Sequence, residues 1–97
     1  MRRRIYAMPK VAHPHIVSNS EICGGSATIQ GTRFPVRSVV FYILYHGLTP
    51  EELVTRFPSL ALAHIHDALA YYYDNREEIE TDMAENTEET VRKQFSL

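Results

Sequence analysis

Gly31-Thr32-Arg33-Phe34-Pro35-Val36-Arg37 separates two unlike parts of this 97-residue chain. Ahead of it, short extended pieces alternate with turn residues; after it, the pattern is helical almost to the end. Gly31 reaches backbone conformations that cost other residues strain. Pro35 has a fixed φ and no N–H, so it suits the first turn of a helix and would break the middle of one. The stretch is therefore a hinge between a small β region and a helical core, with two arginines at the junction. The expected fold is mainly α, with a small N-terminal β-hairpin.

Working back from the hinge, Ala27-Thr28-Ile29-Gln30 alternates small or apolar with polar residues, as a half-buried strand does. Gly24-Gly25-Ser26 is a turn, because paired glycines lose too much entropy inside a regular element. No Gly-Lys-Ser/Thr follows it, so it is not a phosphate loop. His15-Ile16-Val17-Ser18 predicts a partner strand. Residues 1–14 form a basic, flexible N-terminus. Arg2, Arg3 and Arg4 there read either as an arm that reaches phosphates or as a plain ragged end.

Working forward, the first helix spans residues 36–46 and stops at Gly47. Val36, Val39, Val40, Ile43 and Leu44 share one face. Phe41, Tyr42 and Tyr45 lie off it, so this helix is either central or carries a subunit interface. In Thr49-Pro50-Glu51-Glu52 the threonine is the N-cap, the proline the first helical residue and Glu52 the reciprocal partner of a capping box. Pro58 ends that helix. A third runs from residue 61 to 75, with Leu62, Ile65, Leu69 and Tyr72 as its core stripe and Ala68 alongside. Its outer face holds Ala63, His64, His66, Asp67, Ala70 and Tyr71. A short helix, a tight link and a longer helix resemble a helix-turn-helix. Yet no Lys or Arg lies between Arg56 and Arg76, so the candidate recognition helix lacks the usual bidentate contact to guanine. Another helix spans 76–85, and Asn86-Thr87-Glu88-Glu89 reads as a second capping box opening a last short helix with Val91 and Phe95 at i, i+4. That last pair is either docked on the body or a partner-binding element.

The net charge of -2 hides an asymmetry: most of the acids fall after residue 73, so residues 81–97 form an acidic tail on a mildly basic body. No apolar run approaches the roughly 20 residues that span a bilayer, and the start lacks the apolar stretch of a signal peptide. One cysteine, Cys23, fits a reducing compartment, and a cytoplasmic protein is expected. The five histidines lack zinc spacing, and no nucleophile or acid–base constellation stands out, so neither metal, cofactor nor catalytic residue is assigned. Tyr71-Tyr72-Tyr73 cannot all face one core, so at least one is either part of a homodimer contact, the preferred reading, or simply exposed. Tyr42, Tyr45, Tyr71 and Tyr73 are the candidates for that contact. Arg33 either holds a phosphate or locks the junction by bonding carbonyls or a carboxylate such as Glu52 or Asp67. Arg37, expected to be exposed, is the better phosphate candidate.

These residues resemble the bacterial "domain of unknown function 433" family. The likeness rests on Ile16-Val17-Ser18, Cys23-Gly24-Gly25, Ile29 to Val36, Tyr45 to Leu53, Phe57-Pro58 and Asp67 to Tyr72, and covers residues 15–80. It implies a homeodomain-like or winged helix-turn-helix core with a small β element, in proteins similar to VapB-type antitoxins. From this follows the expectation of a homodimer that binds operator DNA and neutralises a PIN-like ribonuclease toxin. DNA would meet Arg37, Arg56, His64, Arg2, Arg3 and Arg4; the toxin would meet Glu88, Glu89, Val91 and Phe95. The alternatives are a stand-alone DNA-binding regulator and an oligomeric interaction module that binds no DNA.

Overall fold

The Gly-Thr-Arg bend is built by its own threonine. In a computed structural model that describes the backbone of residues 12–95 and the side chains of residues 12–86, Thr32 Oγ1 donates to the Ile29 carbonyl at 2.8 Å and accepts from the Phe34 N–H at 2.9 Å. Gly31, at φ +80, supplies the left-handed step that the reversal requires. The chain returns along itself, with Ile29 N–H bonded to Phe34 O and Val36 N–H to Ala27 O. Strands β1 (Ile16–Val17) and β2 (Thr28–Ile29) pair antiparallel, Ile16 opposite Ile29 and Val17 opposite Thr28. The mainly helical fold with a two-strand N-terminal sheet agrees with the sequence expectation.

Helix α1 (Val36–Val40) follows the bend directly, and Pro35 stands as its N-cap rather than its first residue. The expected helix to residue 46 is not uniform. From Phe41 to Tyr45 it widens into a π turn, closed by His46 N–H to Phe41 O at 2.9 Å. The wider turn holds an extra residue and shifts the phase of the side chains behind it. Leu44, expected in the core, is consequently exposed, while Tyr42 turns inward against Phe34 and Phe57. Gly47, at φ +81, ends the segment as predicted.

Helix α2 (Pro50–Arg56) begins with the predicted capping box: Glu52 N–H to Thr49 Oγ1 at 3.0 Å and Thr49 N–H to Glu52 Oε1 at 2.8 Å. Such a cap is worth about 1 kcal/mol. Helix α3 (Leu62–Asp74) has alanine at its N-cap, and the imidazole of His64 accepts the Ala61 N–H at 3.0 Å in place of a capping carboxylate. Its core residues are Ile65, Ala68 and Tyr72, whereas Leu62, expected inside, is exposed.

Helix α4 (Arg76–Phe95) is one continuous element. The break expected at Asn86 does not occur. Asn86 Nδ2 reaches back to the Asp82 carbonyl and to Asp82 Oδ1, at 2.7 and 2.8 Å, so the side chain caps nothing. An Asn-x-x-Glu pattern is compatible with a helix interior when the amide finds a partner one turn back. Ile79 is buried and Met83 packs beside it, which seats the first half of α4 on the core formed by Ile29, Val36, Val39, Val40, Leu53 and Ile65.

Candidate interaction surfaces

Three side-chain clusters fix α4 and the N-terminal segment to the body. In the first, Tyr71 donates to both oxygens of Glu78 at 3.0 and 3.1 Å, and Tyr72 donates to Glu80 at 2.6 Å. Burial, then the bond to Glu78 and its charge, pushes the Tyr71 hydroxyl up to about 12. The Tyr72 hydroxyl is raised as well, chiefly by its bond to Glu80 and then by burial. Tyr71 is also edge-on to His13, with ring centroids 5.2 Å apart. It is thus engaged within the chain and half-buried. Tyr42 is likewise packed inside an aromatic cluster. Tyr45 and Tyr73 are exposed, as a dimer contact requires.

The second cluster docks the segment ahead of β1. His13 Nδ1 lies 3.2 Å from Asp67 Oδ1 and Nε2 lies 2.8 Å from Asp74 Oδ2, while the His15 N–H donates to Asp67 Oδ2 at 2.8 Å. A neutral imidazole donates to one carboxylate only; the doubly protonated ring donates to both. Asp67 was expected on the outer face of α3, and instead it turns toward this segment. Among the described residues no three His, Cys, Asp or Glu side chains converge as metal ligands.

The third cluster corrects the expectation for Arg37. Its side chain is 17% exposed and its Nη1 donates to Ser26 Oγ at 2.8 Å and to Asp82 Oδ2 at 3.0 Å. Ser26 Oγ in turn donates to Asp82 Oδ1 at 2.9 Å. The carboxylate 45 residues away could not be foreseen from local pattern. Arg33 reverses in the opposite sense. Neither Glu52 nor Asp67 holds it; its side chain is exposed and has no polar partner among the described residues. It lines a shallow concavity with Val17, Ile22, Gly31, Thr32 and Ser59.

Of the other residues expected to meet DNA, Arg56 is exposed at the end of α2, whereas His64 is spent on the α3 cap and packs against His15, ring centroids 5.0 Å apart. Arg2, Arg3 and Arg4 lie outside the described residues, as do the side chains of Glu88, Glu89, Val91 and Phe95. What α3 presents outward is Leu62, Ala63, His66, Ala70 and Tyr73, a surface without a Lys or Arg. Sequence reasoning set Phe41 and Tyr45 off the core face and missed Leu44: at the π turn the three are 41%, 62% and 42% exposed. Their i, i+3, i+4 spacing would have joined Leu44 to that outer face, but its place in the valine stripe assigned it to the core. No described helix is long and apolar enough to cross a membrane.

Comparison with known proteins agrees with this architecture. Residues 16–72 match the model of the family described as "Protein of unknown function (DUF433)". The crystal structure of a DUF433 member protein from Anabaena variabilis is 34% identical over 72% of this chain and 68% of that one, with a TM-score of 0.67. Among curated proteins none matches. The matched residues run from β1 to the buried Tyr72 of α3 and hold the bend, the capping box and the core stripe, and the chain belongs to the DUF433 family.

Proposed function

We propose that this protein is an antitoxin-type adaptor: a homodimer that covers a basic, PIN-like ribonuclease with α4 and uses the remaining body for operator DNA. The observation that carries the reading is the single helix α4, in which seven acids stand against three bases. A ribonuclease must accept RNA phosphates, so its groove is cationic, and an acidic helix is complementary to it. The exposed apolar side chains of the π turn, with Tyr73 on α3, supply surface that a second copy would desolvate.

One observation favours the narrower reading of an interaction module without DNA. The outward face of α3 carries Leu62, Ala63, His66, Ala70 and Tyr73 and no Lys or Arg, which suits a protein neighbour better than a major groove. The test is co-expression with a PIN-like ribonuclease. Removing residues 86–97 is expected to abolish inhibition of RNA cleavage while sedimentation still reports a dimer. Undiminished inhibition would remove the end of α4 from the mechanism, and a monomer in the intact chain would remove the dimer.

A further inference from the structure

The Asp82 carboxylate occupies a donor set that is not particular to a side chain. Its Oδ1 accepts from the Ser26 hydroxyl at 2.9 Å and its Oδ2 from the Arg37 guanidinium at 3.0 Å. Two oxygens on one atom, one met by a cation and one by a hydroxyl, are also what a backbone phosphate offers. Both donors belong to the part of the chain ahead of α4, which carries seven Lys and Arg against five Asp and Glu; from residue 76 onward the count is three against seven. The pair sits at the edge of the core, with Arg37 and Asp82 17% and 16% exposed. Exposed Arg33 lies four residues earlier on the same bend and offers a second cation, which favours a polyanion over a single free phosphate.

We propose that Ser26 and Arg37 form a site for a backbone phosphate of nucleic acid, which Asp82 fills from within. Docked α4 and bound nucleic acid then exclude one another. The attachment of α4 suits an element that leaves. It is joined to α3 through the single non-helical residue Asn75, at φ -138 and ψ 47; among its described residues Ile79 alone is fully buried, with Met83 partly buried beside it, and the bonds from Tyr71 and Tyr72 to Glu78 and Glu80 lie close to that joint. The family match ends at residue 72, before α4 begins. This deepens the operator-binding part of the reading above and adds its regulation: a partner that captures α4 uncovers Arg37.

The experiment is a fluorescence-anisotropy titration of the full chain with a labelled random-sequence DNA duplex over a range of salt. Asp82→Asn is expected to bind about tenfold more tightly than the native chain, and its plot of log K against log salt to steepen by about 0.9, one phosphate contact. Glu85→Gln removes the same charge from an exposed position on the same helix. It is expected to gain no more than about threefold and to keep the native slope, since it changes only the general field. Adding Arg37→Gln to Asp82→Asn is expected to erase the gain. Thermal melts accompany each variant, and Asp82→Ser replaces Asp82→Asn if the latter does not melt cooperatively. Equal gains at positions 82 and 85, a gain that survives Arg37→Gln, or no duplex binding by any variant would each overturn the proposal. Ribonuclease inhibition, measured separately, decides the antitoxin reading whichever way the titration falls.

Discussion

Residues 36–40 and 41–45 are consecutive, and the more apolar of the two is the more exposed. In the first five, Val36, Val39 and Val40 are fully buried. In the second five, Phe41, Leu44 and Tyr45 are exposed although each is larger than valine. The backbone makes the difference. The first part is a regular turn that follows the hinge and packs against α3 and α4, whereas the π turn carries Leu44 away from that contact to join Phe41 and Tyr45 outside. Hydrophobicity sets how much a side chain gains from burial; the pitch of the turn decides whether it receives any. A widened turn that exposes three large apolar groups is also where a partner would gain most by docking.

The widest separation between the two halves is expected from one substitution made in each. Val40→Asp places an unpaired carboxylate in the core, and the cost of about 4 kcal/mol or more is a large share of a small domain's stability. The cooperative thermal transition is expected to be lost. Leu44→Asp, one helical turn on, is expected to change stability by about 0.5 kcal/mol or less and to shift the sedimentation profile toward monomer. Similar melts for the two variants would refute the contrast.

A second, smaller contrast lies between the two arginines of the hinge. Arg37→Gln strips the charged partner from Asp82 and is expected to cost about 1–3 kcal/mol in denaturant unfolding. Arg33→Gln removes an exposed group and is expected to cost about 0.5 kcal/mol or less. Equal costs would mean that the Arg37–Asp82 pair is too hydrated to matter.

The smallest effect is alkaline. Because Tyr71 is pushed up to about 12 in the folded chain from an ordinary 10.0, the folded state holds a proton that the unfolded state has released. Its contribution is whole below pH about 10 and disappears as pH rises through about 12. Tyr71→Phe is expected to make the decline in stability over that window shallower, with a residue of slope from Tyr72, whose hydroxyl is raised too.

What the sequence shows of this fold is what lies within four or five residues. Thr49 and Glu52 are three apart, so their reciprocal cap is visible as a pattern and the structure forms it. Gly31 and Gly47 mark reversals that the backbone then makes. The widening at Phe41 is not visible, because a valid helical stripe runs through it and tertiary packing selects the other pitch. Arg37 and Asp82 are too distant in sequence for any spacing rule, and so are His13 and Asp74. His64 was misplaced for a different reason: a histidine three residues into a helix is read as a surface group, although its ring nitrogen accepts a backbone N–H much as a glutamate oxygen would. The candidate surfaces were therefore legible as residues and not as arrangements.

Asn75 has a mechanical consequence. It is the single break between α3 and a 20-residue helix about 30 Å long, so a change of about 10° at this pivot carries the far end of α4 through about 5 Å. Tyr71 and Tyr72, gripping Glu78 and Glu80 beside the fulcrum, act with little leverage over a long arm. Once the Arg37–Asp82 pair farther along has parted, slight slack in those two grips becomes a wide sweep at the tip, and the reach of this protein is set at its elbow.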